Sequence, residues 1–139
     1  MDFVRSDKDT HFRDSLTQFA SEYEDLVIAT DLPQGRADSY ITSIRILSIQ
    51  NLAWTIVFYS RRRNYESDYD MDTSIDFHSF VASDGLATAT SYLYAVSGLL
   101  IPYRDEDNSG ELHVGLHNRS TTAKDPGDSG LFHLTLGLR

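Results

Sequence analysis

The chain of 139 residues contains no cysteine. That excludes a disulfide framework and any thiolate metal site, so core packing must supply the stability. Long apolar runs are also missing, and none approaches the roughly 20 residues a membrane-spanning helix needs. The first residues, MDFVRSDKD, are charged and lack an apolar signal core. The expectation is a protein that stays in the cell that makes it, or leaves by another route. Basic residues are scarce: 12 Lys and Arg stand against 21 Asp and Glu, for a net charge of -9. So acidic a surface repels phosphate backbones, and nucleic acid is not an expected partner. The basic run Arg61, Arg62 and Arg63 lies near Asp68, Asp70 and Asp72 and reads as a solvated strand end.

What is present is apolar and aromatic. Hydrophobic residues make up 40% of the chain, too many for a disordered composition, and they include eight Tyr, seven Phe and one Trp. At this length one domain with a real core is expected. Residues 1–23 read as an N-terminal arm or short amphipathic helix and 24–139 as the β-domain. Within the first segment Phe12, Leu16, Phe19 and Tyr23 recur at helical spacing. A helix that short is marginal alone and needs a surface to lie on, either its own domain or a neighbouring subunit.

From residue 24 onward the pattern is that of strands. Residues 24–32 form a short apolar run closed by Pro33 and Gly35. Residues 37–50 are rich in Ile and Thr and predict a long strand, with Ile44 and Ile46 on one face and Leu47 and Ile49 on the other. In LAWTIVFYS both alternating faces are apolar, which predicts a central strand or one covered on its outer side. Trp54 shares a face with Leu52, Ile56 and Phe58 and is expected to be buried. Residues 64–73 are an acidic loop and 75–82 another strand. Residues 91–103 predict one strand with a bulge at Gly98 and Pro102 near its end. The last two strands alternate cleanly, Leu112, Val114 and Leu116 in one, Phe132, Leu134, Leu136 and Leu138 in the other. Seven or eight short strands and no long helix after the first segment predict an all-β antiparallel sandwich, jelly-roll-like in its winding.

Four stretches invite a chemical reading. Gly127-Asp128-Ser129-Gly130 matches the nucleophile motif of chymotrypsin-like proteases, but too little chain follows to complete that fold, and the letters suit a turn. Asp105 to Gly110 resembles the start of a calcium loop, yet the twelfth position is Leu116 where a bidentate Glu is needed, so a hairpin turn explains it. His113, His117 and His133 fall on the outward faces of the last strands. His113 and His117 lie about 13 Å apart along a strand, too far to share a metal. Antiparallel pairing of the last two strands would set His117 opposite His133, two ligands without a third. Asn118-Arg119-Ser120 fits a glycosylation sequon without a signal peptide beside it. No catalytic residue, cofactor or metal follows from these stretches, and an enzyme is not expected.

QNLAW at the head of a central strand, the acidic DEDNSGELHV hairpin, and LHNRSTTAK leading to a Gly-rich turn resemble small β-sandwich proteins of tailed bacteriophage virions. Capsid decoration or cement proteins are the nearest in character. The resemblance implies a structural protein on the capsid surface of the virion, made in the bacterial host cytoplasm. It would bind the major capsid protein, bridge its subunits and self-associate, with a trimer as one arrangement. The contacts implied are Phe12, Leu16, Phe19 and Tyr23 of the arm, Tyr59, Tyr92, Tyr94 and Tyr103 as aromatic anchors, and His117 with Arg119. The competing reading is a carbohydrate- or receptor-binding sandwich of a phage tail or fibre, which needs coplanar exposed aromatics.

Overall fold

The structure, a computed structural model, describes residues 2–5, 26–29, 39–60, 74–103, 111–120, 122, 124, 127 and 131–138. These form ten strands: β1 (Asp2–Arg5), β2 (Leu26–Ala29), β3 (Ser39–Ser48), β4 (Trp54–Tyr59), β5 (Ser74–Phe80), β6 (Leu86–Ala87), β7 (Tyr92–Val96), β8 (Ile101–Tyr103), β9 (Glu111–Asn118) and β10 (His133–Leu138). A 3-10 turn, Ala82–Asp84, follows β5. All pairings are antiparallel. The fold is an all-β antiparallel sandwich, as the alternation predicts.

The six-stranded sheet runs β1-β10-β3-β7-β6, with β8 also paired to β3, and the four-stranded sheet runs β2-β9-β4-β5. Most connections between long strands therefore change sheets, and β4–β5 is a hairpin within one. The last two strands do not pair: β9 belongs to the four-stranded sheet and β10 to the six-stranded one. This corrects the expected facing of His117 and His133. A period of two shows that a strand has an apolar face but not which sheet receives it.

Register sets the core in rows. On the six-stranded sheet Leu134 lies opposite Ile46 and Ile46 opposite Tyr94, with Leu136 and Ile44 in the next row. On the four-stranded sheet Phe80, Trp54 and Asn118 share a row, and Phe58 lies opposite Val114. These inner faces merge into one buried cluster. Each large apolar side chain so buried contributes about 1.5–3 kcal/mol. Trp54 is fully buried, as expected, its ring edge-on to Tyr94 at 6.3 Å and tilted against Phe132 at 5.9 Å.

Two strand assignments change. Asp2–Arg5, within the segment read as an arm, pairs along β10. Residues 91–103 form two strands, because Gly98 takes φ 73°, a conformation that ends strand pairing and that few other residues adopt. The N–H of Leu99 then donates to the Thr42 carbonyl at 2.9 Å, tying the break to β3 before β8 resumes pairing with it.

Candidate interaction surface

The outward face of the four-stranded sheet is closed. Thr55, Val57 and Tyr59 of β4 lie opposite His117, Gly115 and His113 of β9. All six are buried, His113 at 0% exposure and His117 at 3%. The Tyr59 ring crosses Gly115: a Cβ there would stand 3.0 Å from Tyr59 Cε2 and 3.3 Å from His117 Nε2. Glycine thus leaves room for the phenol and imidazole to converge. Thr55 Oγ1 shares a hydrogen bond with Ser79 Oγ at 3.0 Å and accepts one from Arg119 Nε at 3.3 Å. At β5 the closure ends, and Phe77 is 63% exposed.

The outward face of the six-stranded sheet is open. Leu86, Leu93, Leu47 and His133 line up in register across β6, β7, β3 and β10. Leu86 is exposed and the other three are half-buried. The adjoining row places Ala95, Arg45 and Thr135 opposite one another. Where β7 breaks at Gly98, the sheet forms a groove of about 1260 Å³ lined by Arg45, Leu47, Ala95, Leu99, Leu100, His133 and Thr135, among others. Leu100 is 63% exposed beside it. Arg45 is exposed, and among the described residues that line this groove there is no carboxylate. The sequence reading missed this surface. Its signal was an isolated Arg45 within an Ile-rich strand, with Leu47 on the off-core side.

One end of the sandwich is bound by a polar network. The Tyr94 hydroxyl accepts from the Leu52 N–H at 2.7 Å and donates to Asn51 Oδ1, holding the β3–β4 connection against β7. Burial pushes the Tyr94 hydroxyl pKa up, partly opposed by the bonds from Leu52 and Trp54. The Ala53 N–H donates to Ser120 Oγ at 2.9 Å, and the Arg119 N–H donates to the Ala53 carbonyl at 2.8 Å. Asn118, the sequon asparagine, is fully buried and donates to the Thr122 carbonyl at 3.0 Å. On β5, burial lowers the pKa of His78, with Asp84 and Asp76 pulling the other way.

Several expected contact residues sit inside the fold. Tyr59, Tyr94, Tyr103 and His117 are at most 3% exposed. Their aromatic area is already used within the chain. Tyr94 packs between Trp54 and Phe80, and the Tyr103 hydroxyl accepts from the His113 N–H at 3.3 Å. Tyr92 is half-buried against the core edge, while Arg119 is exposed. Phe12, Leu16, Phe19 and Tyr23 lie outside the described residues, as do the Arg61–Arg63 run, the acidic loop at 64–73 and the turn at 105–110. Of the protease-like tetrapeptide only Gly127 is described. Among the described residues no group of three or more metal-ligating side chains converges. No helix among them is long and apolar enough to cross a membrane.

No known protein family, curated protein or solved structure matches this chain.

Proposed function

We propose that this chain is a structural protein of a bacteriophage virion that binds the outside of an assembled capsid and bridges major capsid subunits. The observation that carries this reading is the strand order. With β7 and β8 taken as halves of one strand, the order β1-β10-β3-β7 beside β2-β9-β4-β5 supports a jelly-roll reading of the sandwich. That architecture recurs in viral capsid and lectin domains. Fold alone does not assign function, so the surface must choose between these classes. A sugar site needs exposed aromatic platforms, whereas Trp54, Tyr59, Tyr94 and Tyr103 are buried. Phe77 is the exposed aromatic among the described residues whose burial is defined. The open leucine row and groove favour a protein partner instead.

Bridging stabilises a shell because a ligand of the assembled state alone shifts the equilibrium toward assembly. Many copies on one shell add through avidity, so each contact can be modest. The test is to mix purified protein with purified shells. Stoichiometric cosedimentation and a raised disruption temperature are expected. Protein that stays in the supernatant, or that turns over a glycan, overturns the reading.

A further inference from the structure

The groove on the six-stranded sheet has a chemical character that selects its occupant. The chain carries a net charge of -9, yet the described residues that line the groove are Arg45, His133, aliphatic residues and small polar residues, with no carboxylate among them. Arg45 projects at an exposed position of β3, flanked by the small neighbours Ala95 and Thr135. A guanidinium so placed offers a forked donor to a carboxylate. Beside it runs the leucine row, with Leu86 65% exposed, and Leu100, 63% exposed, lines the groove itself.

We propose that this groove, together with the leucine row beside it, binds a short segment of a partner protein in which leucine-like side chains flank an aspartate or glutamate. The aliphatic groups cover Leu47, Leu93 and Leu86, and the carboxylate meets Arg45. Most of the affinity comes from the apolar contact, because an exposed ion pair is worth little by itself. Arg45 supplies selectivity and orientation. A second copy of this face is a poorer occupant, because the described residues that line its groove offer Arg45 no carboxylate. This inference rests on the proposed function only for the identity of the partner as a shell protein; the groove's chemistry stands without it.

The experiment uses the full chain and two fluorescein-labelled octapeptides, one alternating leucine with glutamate, the other alternating leucine with lysine. Anisotropy should report saturable binding of the glutamate peptide and at least tenfold weaker binding of the lysine peptide. Arg45→Glu should reverse that order, and Leu86→Ser should weaken the glutamate peptide severalfold, both with unchanged thermal unfolding. Equal binding of the two peptides, no saturable binding, or an unaltered preference in Arg45→Glu overturns the proposal. So does a change in sedimentation on Arg45→Glu without peptide binding, which would assign the face to contacts between copies. Arg45→Glu is also mixed with shells. Retained cosedimentation beside lost glutamate-peptide binding removes the groove as the shell contact and leaves the structural function standing.

Discussion

On the four-stranded sheet the outward side chains of β4 and β9, including two histidines, are buried; on the six-stranded sheet the outward leucines of β3, β7 and β6 grade from half-buried to exposed. The residue types suggest the reverse. Burying imidazoles costs free energy unless their polar atoms are satisfied, and leaving leucine in water forfeits about 25 cal/mol per Å² of apolar area. Neither face follows from hydropathy alone, and each departure has its own meaning. The closed face is a second packing layer, where Gly115 lets Tyr59 and His117 approach. The open face keeps apolar area accessible, which points to contact with another molecule.

The contrast can be broken most directly by truncation. Tyr59→Ala should cost about 3–5 kcal/mol, the usual range for removing a buried aromatic, as read from urea unfolding midpoints. A loss near zero would mean that the closed face is not a packed layer. Gly115→Val should cost about 1–3 kcal/mol by forcing Tyr59 and His117 aside. In a Tyr59→Ala background that penalty should shrink, because the two sites are in contact. Tyr94→Phe should cost about 1–3 kcal/mol, since it leaves the Leu52 N–H without its acceptor.

Smaller effects sharpen the comparison. The folded-state pKa of His78 is lowered, so the unfolded chain binds the proton more readily. Its contribution to stability is complete above the ordinary histidine value of 6.5 and declines as pH falls through the window below it. His78→Gln should therefore flatten the stability-against-pH profile on the acid side of 6.5. The effect should be small, because the side chain is only partly buried. Smallest of all, Leu86→Ala on the open face should shift stability by no more than about 0.5 kcal/mol, while weakening whatever binding the groove performs.

These differences also mark how far the sequence carries. The two-sided apolar pattern of β4 predicted a central, doubly covered strand, and all six of its residues are buried. The burial of Trp54 followed from its sharing a face with Leu52, Ile56 and Phe58. The sheet membership of β9 and β10 did not follow, because alternation is the same whichever sheet a strand joins. Tyr94 and Tyr103 looked like surface anchors because tyrosine suits both cores and interfaces. Their placement is decided by distant partners, Leu52 for one and His113 for the other. Arg45 and Leu47 were legible as residues, but their union with Leu86 and Leu93 required the register of three strands.

The ladder between β1 and β10 sets Asp2 opposite Leu138, so backbone from nearly opposite ends of the sequence is within one strand spacing. Such a pairing closes a loop that spans almost the entire sequence. High contact order of this kind slows folding far more than it lowers stability, since closure entropy grows only logarithmically with loop length. The same proximity means that a short linker could join the two strands and the chain could be reopened at exposed Ser83. A circular permutant built that way would turn the most remote pairing into a local hairpin and should refold faster at nearly the same unfolding free energy.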